Sequence, residues 1–273
     1  MDELVIEAGR TEQQYWKDLW VFRELFYFLA WRDLLVRYKQ TVIGIAWALV
    51  RPLLTMAVFT IVFSRIAKLP TIGTAPYCLL VFAGLLPWQF FSTSLAEASN
   101  SLISNSNLVS KVYFPRMIVP AASIITNFVD FVISFSILVV LAAWFRFLPD
   151  WRIVFLPFFV LLSLGTAVGI SLWLCALNVE YRDFRYIVPF IVQFGMYVSP
   201  VGFSSSVVPE KWRLLYAMNP LVGVIDGFRW ALLRGQAGLY VPGLIASIVI
   251  TTFICLSGAW YFRKMERTFA DVI

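Results

Sequence analysis

The chain has no histidine, only three cysteines, and only 14% charged residues over 273 positions. Without histidine it lacks the commonest general base and the commonest metal ligand at neutral pH. A soluble domain carries roughly 25% charged residues, so these side chains are too few to cover a water-facing surface. With 60% hydrophobic residues, the solvent for most of the chain must be lipid. Cys78, Cys175 and Cys255 stand singly in apolar runs, without metal spacing or a disulfide pattern, and are read as small hydrophobes. No Gly-x-x-x-x-Gly-Lys-Ser/Thr loop is present, which excludes that way of cradling nucleotide phosphates. No carboxylate cluster or nucleophile–base pair falls at one membrane depth, so neither catalytic residues, a metal site nor a cofactor is expected. Energy for moving a cargo uphill must then come from a partner or an ion gradient.

What the chain has instead is long apolar runs. A spanning helix needs about 20 mainly apolar residues, and six such spans are expected: Val42–Ser64, Tyr77–Ala96 (extending at most to Leu102), Met117–Phe145, Ile153–Leu177, Tyr186–Phe203 and Val241–Phe262. The runs are too long and too free of strict alternation for barrel strands. This gives a single all-α transmembrane domain over 1–273. Residues 1–41 form an N-terminal segment, 42–203 spans one to five, 204–240 an irregular insert, 241–262 span six and 263–273 the tail. No short apolar core precedes a small-residue cleavage site in the first 40 residues, so span one is expected to insert uncleaved. Six spans put both termini on one side. Thirteen Lys/Arg fall on that side and eight on the other, which by the positive-inside rule favours cytoplasmic termini. The net charge of +6 needs no nucleic acid, since the cations cluster at span ends beside anionic headgroups of membrane lipid.

Trp31–Leu54 changes from basic and aromatic to apolar within a few residues. Upstream, Tyr15 to Gln40 contain no Gly or Pro. Trp16, Trp20, Tyr27, Trp31, Leu34 and Tyr38 share one side at helical spacing, which predicts an amphipathic helix lying in the membrane interface. A solvated helix is the alternative. Between spans two and three, Asn105, Ser106 and Asn107 offer turn chemistry, followed by Leu108, Val109, Val112, Tyr113 and Phe114 beside Lys111 and Arg116. So many large apolar groups either lie on the bilayer, dock into a partner's groove, or bury against the loop's own helices. In 204–240, Asn219–Pro220 supplies an N-cap and first helical position, and Gly235 suits a C-cap. The helix between them is too short to span and too apolar for free exposure. Two short helices that dip into the bilayer and return would explain it, and a surface helix pair is the alternative. Asp226 and Arg229 stand at i, i+3, a spacing that permits pairing.

Charges inside spans are few. Arg51, followed by Pro52, lies in the first span, Glu97 closes the second and Asp130 lies in the third. An ionised group at mid-bilayer costs at least about 2.5 kcal/mol, and the signs allow Arg51 to pair with Asp130 or Glu97. Either a polar conduit wall or a buried structural pair follows. Trp88, Phe90, Phe91, Trp173, Phe194 and Tyr197 lie near polar or small neighbours, where ring faces suit the apolar C–H faces of a sugar. Gly165 and Gly169 form a small-xxx-small face that fits packing within one subunit as well as between two.

These segments resemble the membrane subunits of ABC transporters that export polysaccharides: O-antigen, capsule and teichoic acid. Arg32-Asp33, Arg37-Tyr38, Gly44, Trp47-Ala48 and Pro52 look like the family's opening signature, with Ile43 where Leu is usual and Arg51 where a neutral or amide residue is common. Asn107 to Pro120 is similar to its coupling segment, Asn178 to Asp183 to its end of span four, and Asn219-Pro220 with Phe228-Arg229 to its segment before the last span. The resemblance implies a permease of the bacterial inner membrane. Such a subunit is expected not to be an enzyme by itself, and to pair with a second copy and with two copies of a cytoplasmic ATP-binding subunit. The partner ATPase would couple through Arg32, Asp33, Arg37, Asn107, Lys111, Tyr113, Phe114, Pro115 and Arg116. Asn219, Pro220, Asp226, Phe228 and Arg229 would belong to an outer gate, and Arg51, Trp88, Phe91, Asp130 and Tyr197 are the channel candidates. The substrate implied is an undecaprenyl-diphosphate-linked polysaccharide, foremost O-antigen, with Arg32, Arg37 and Lys39 placed to attract the diphosphate. A drug or small-lipid exporter permease of the same fold is the alternative. A membrane glycosyl- or acyltransferase would need an acid–base constellation that a chain without histidine is poorly equipped to supply.

Overall fold

The computed structural model describes residues 12–39, 44–68, 73–181 and 183–269, and for 12–14 and 44–48 the backbone only. The expected start of span one at Val42, the cation Arg182, and the side chains of Trp47 and Ala48 therefore lie outside the described part. Eleven α-helices and no strands occur among the described residues. They are α1 (Glu12–Val21), α2 (Arg23–Lys39), α3 (Gly44–Thr60), α4 (Tyr77–Ser104), α5 (Ser106–Lys111), α6 (Ile118–Trp144), α7 (Leu156–Glu180), α8 (Phe184–Val198), α9 (Glu210–Tyr216), α10 (Pro220–Leu232) and α11 (Val241–Met265).

Five helical stretches are long and apolar enough to cross a membrane: Leu49–Ile66, Tyr77–Ser104, Ile118–Trp144, Trp151–Glu180 and Val241–Met265. α3 continues into them through a wide π-helical segment, Ile61–Ile66. The fourth begins as a short 3-10 turn, Trp151–Phe155, because the Asp150 carboxylate caps the Arg152 N–H and Pro157 sets the first turn of α7. The fifth expected span, Tyr186–Phe203, is reduced to α8. At 15 residues it is about 22 Å long, short of a hydrocarbon core of about 30 Å. Its stop is local: Pro200 drives Ser199 to an extended conformation, φ −89° and ψ 149°. The chain nevertheless runs the length of the bundle. α8 starts just past Glu180, which faces Tyr261 near the end of α11, and Gly202 beyond it accepts a 2.7 Å hydrogen bond from the Tyr77 hydroxyl at the start of α4.

α4 is the central post. In its most apolar stretch 83% of residues are buried, against α6, α7, α10, α3 and α8. α7 and α11 pack face to face, and here Gly165 and Gly169 find their use. A Cβ at Gly169 would stand 2.8 Å from the Cys255 backbone nitrogen, and one at Gly258 would stand 2.5 Å from the Gly169 carbonyl oxygen. The small-residue face thus serves close packing inside one subunit. α3 is the opposite case from α4: only 6% of Leu49–Ile66 is buried. Leu54, Val58, Ile61 and Ile66 are exposed, as are Phe190 and Phe194 on α8 and Val249, Phe253 and Leu256 on α11. Such a continuous apolar surface is stable only in lipid or under another apolar surface.

A second core lies where α1, α2 and the residues after α11 meet. Leu29 and Ala30 of α2 meet Val109, Phe114, Ile118, Cys175, Phe262 and Phe269. The N-terminal helix expected over Tyr15 to Gln40 is α1 and α2, broken only at Phe22. It docks through that small inner face on α6 and leaves Trp16, Trp20, Tyr27 and Trp31 more than half or about half exposed, the arrangement of aromatic rings at a headgroup interface.

Candidate functional site

A cleft of about 780 Å³ opens among α3, α4, α6, α8 and the last turn of α2. Its polar end is built by residues brought from three helices. Arg37 donates to Glu97 of α4 at 2.5 Å, to the Asn127 side-chain oxygen of α6 at 3.0 Å, and to Asp130 of α6. The Tyr38 hydroxyl donates to the other Asp130 oxygen. The Asn127 amide donates to Glu97 at 3.0 Å and back to the Ser123 carbonyl. Asn127 and Asp130 stand three residues apart and so share a face of α6. One guanidinium between two carboxylates, with every partner bonded, is what lets three ionised groups sit among apolar helices.

The pairing allowed by sequence, Arg51 with Asp130 or Glu97, does not form. Arg37 takes both carboxylates, because the last turn of α2 packs beside Glu97 of α4 and Asp130 near the middle of α6. Arg51 lines the same cleft with an exposed side chain and makes no salt bridge among the described residues. Of the other channel candidates, Trp88 and Asp130 line the cleft. Phe91 is buried, its ring 5.8 Å from that of Trp88, and Tyr197 is exposed on α8 and does not line the cleft. Phe90 and Phe131 add aromatic wall, and Gln89, Thr93 and Gln193 add uncharged polar groups. Asn127 and the two glutamines were not singled out from the sequence, and Tyr38 was singled out only for its helix face and the opening signature, not as a partner of Asp130. The Asn127–Asp130 spacing inside an apolar run was the signal that could have found two members of the network.

Around the second core, the segment after α4 divides into an anchored and an exposed part. Val109 and Phe114 are buried, whereas Val112 and Tyr113 are about half exposed. Asn107 and Lys111 are exposed and Pro115 is buried. Arg116 ties this loop to the tail: its backbone N–H donates to the Glu266 carboxylate at 2.6 Å and its guanidinium to the Glu266 carbonyl at 2.6 Å. Burial pushes the Glu266 carboxyl above its ordinary range, against the Arg116 N–H and guanidinium, which lower it. Arg32 bonds Asp33 at 2.8 Å and reaches the Asn105 side chain at 2.9 Å, joining α2 to the α4–α5 corner. Two of the three outcomes open for the apolar patch are thus divided within it: part is buried against its own helices, and part faces outward.

At the opposite end Asn219 caps α10, accepting from the Leu221 N–H at 3.1 Å, and its amide donates to Ser199 at 3.0 Å. Pro220 occupies the first turn, and Gly235 closes the C-terminal end with φ +69°. α10 is enclosed by protein along nearly its whole length, Phe228 included, whereas α9 is largely exposed. Asp226 and Arg229 do not pair with each other. The Ser205 hydroxyl donates to Asp226 at 2.5 Å. Arg229, fully buried, donates to the carbonyls of Phe203 at 2.6 Å, Val201 at 2.7 Å and Leu80 at 3.1 Å. It therefore satisfies the irregular backbone that follows α8, which buried carbonyls require.

An all-helical bundle with several membrane-length helices, a mainly apolar cleft with one polar end and a nearly unburied first span defines a multi-pass membrane transport protein. The chain belongs to the ABC-2 type transporter family, whose model matches residues 24–233. It is 27% identical over 259 residues to an O-antigen export system permease protein, RfbA, of Myxococcus xanthus, covering 94% of this chain and 98% of that one. It is 26% identical over 252 residues to the RfbA of Klebsiella pneumoniae, covering 89% and 92%. A capsule polysaccharide export inner-membrane protein, CtrC, of Neisseria meningitidis serogroup A is 25% identical over 207 residues, covering 74% and 76%.

Proposed function

We propose that the chain is the permease subunit of an ATP-driven polysaccharide exporter of the bacterial inner membrane, foremost for undecaprenyl-diphosphate-linked O-antigen, with capsule or teichoic acid export as the runner-up. The observation that carries this reading is the end-to-end match to O-antigen export permeases, 94% of this chain against 98% of the relative. Six crossings with cytoplasmic termini fit the path of the chain. Tyr15 of α1 lies under Arg263 at the end of α11, 4.6 Å from guanidinium carbon to ring centre, so the first and last described helices meet at one end. α8 and its irregular continuation must then supply the sixth passage. The exposed α3 and the open cleft beside it suit a second copy across a central channel. α9 and α10 are read as re-entrant gate helices at the outer mouth, stabilised by Arg229.

ATP hydrolysis is assigned to two copies of a separate ATP-binding subunit. That subunit docks on the exposed parts of α2 and of the Asn107–Arg116 loop, with Tyr113 and Lys111 outward and the buried Phe114 as the loop's anchor. Motion at Tyr113 would pass through the Arg116–Glu266 tie and the Arg32–Asn105 bond into α4 and α2. The test is deletion of the gene, followed by analysis of surface and lipid-linked glycan. Loss of surface polymer with accumulation of the lipid-linked form is expected; normal surface polymer would overturn the reading.

A further inference from the structure

Arg51 is a cation in the cleft to which the described residues supply no anion. Glu97 and Asp130 line the same cleft but are held by Arg37, Tyr38 and Asn127. Among the described residues the Arg51 guanidinium has neither an ion pair nor a hydrogen bond, and its side chain is exposed. A guanidinium that faces a cleft between apolar helices gains from an anion that enters the cleft. The lining carries two cations, Arg37 and Arg51, and two carboxylates, so its sum is neutral and its single uncommitted charge is positive. A diphosphate would meet one free cation and two carboxylates. A single negative group on an otherwise neutral, hydroxyl-rich ligand matches the site better. Gln89 and Gln193 stand on the lining with amides that make no hydrogen bond among the described residues, leaving them for hydroxyls.

We infer that Arg51 is a substrate-binding residue for an acidic glycan, holding a carboxylate or phosphate substituent of a sugar unit in transit. This rests on the polysaccharide-export reading and adds the class of polymer. The site should prefer a uronic acid oligomer to a neutral one of equal length.

The full-length permease in nanodiscs of zwitterionic lipid, titrated by intrinsic tryptophan fluorescence, tests this with three probes: trigalacturonate, maltotriose and inorganic pyrophosphate. Trigalacturonate is expected to bind about tenfold more tightly than maltotriose, the scale of one charge-assisted hydrogen bond. Arg51→Gln should abolish the preference and Arg51→Lys should keep it, which separates charge from folding. Equal binding of the two sugars, an unchanged preference in Arg51→Gln, or tighter binding of pyrophosphate than of trigalacturonate would each overturn the inference, the last by assigning the charge to a lipid phosphate. In cells, normal surface polymer in the deletion strain defeats the export reading itself. If deletion removes the polymer but Arg51→Gln restores it in full, or the polymer proves neutral, only the Arg51 inference fails.

Discussion

Arg37 and Asp130 stand 93 residues apart in the chain and form an ion pair that fastens α2 to α6. Glu97 of α4 shares the same guanidinium, so three helices meet at one charge. Any movement of α2 must carry this cluster with it or break it.

A double-mutant cycle measures that fastening. Arg37→Met strands two carboxylates and Asp130→Asn removes one, and each alone is expected to destabilise the protein by about 1–3 kcal/mol, the scale of charged hydrogen bonds with partial exposure. The double variant should lose clearly less than the sum. Thermal unfolding of the full chain in detergent reads the coupling; strict additivity would show that the cluster holds nothing together.

Gly84 and Arg229 make a second test. A Cβ at position 84 would lie 2.6 Å from an Arg229 guanidinium nitrogen and 2.9 Å from the Val201 carbonyl. Gly84→Ala should therefore displace the side chain that holds the Val201 and Phe203 carbonyls, at about 1–3 kcal/mol as an overpacked site. Limited proteolysis between α8 and α9 should accelerate. Unchanged stability and cleavage would mean that Arg229 does not organise that segment.

The loop after α5 separates anchoring from docking. Phe114→Ala removes a buried ring and should cost about 3 kcal/mol. Tyr113→Asp changes an exposed ring and should lower the melting temperature less than Phe114→Ala while weakening co-purification with the ATP-binding subunit. Intact co-purification and ATPase stimulation in Tyr113→Asp would remove the docking assignment.

Glu266 gives a pH dependence. Burial raises its pKa above the ordinary 4.5, so the folded chain binds more protons there than the unfolded chain. Its contribution to stability therefore falls as pH rises from about 4.5 through the raised value, and returns on acidification. Glu266→Gln keeps an acceptor for the Arg116 N–H and should flatten that part of the melting-temperature profile. A profile identical to the wild type would assign the slope to other groups.

Individual residues show how far the sequence carried. The five long spans follow from apolar runs of membrane length, and the caps of α10 from Asn219, Pro220 and Gly235, because both are properties of adjacent residues. The fifth span was overextended. Its hydropathy runs past Val198, but Pro200 stops the helix, and Arg229, distant in sequence, satisfies the backbone beyond. The Asp226–Arg229 spacing permitted a pair that tertiary contacts redirected, to Ser205 on one side and to three carbonyls on the other.

The sequence by itself determined that lipid is the solvent, where most helices run, and that Arg51, Glu97 and Asp130 would need partners, since composition, run length and charge are local. Only the tertiary structure decided which partners they have. Arg37 reaches the carboxylates because α2 folds back over α4 and α6, and Arg51 is left facing the cleft. Helix spacing limits pairing within one helix, but between helices the choice depends on which faces their packing turns toward one another.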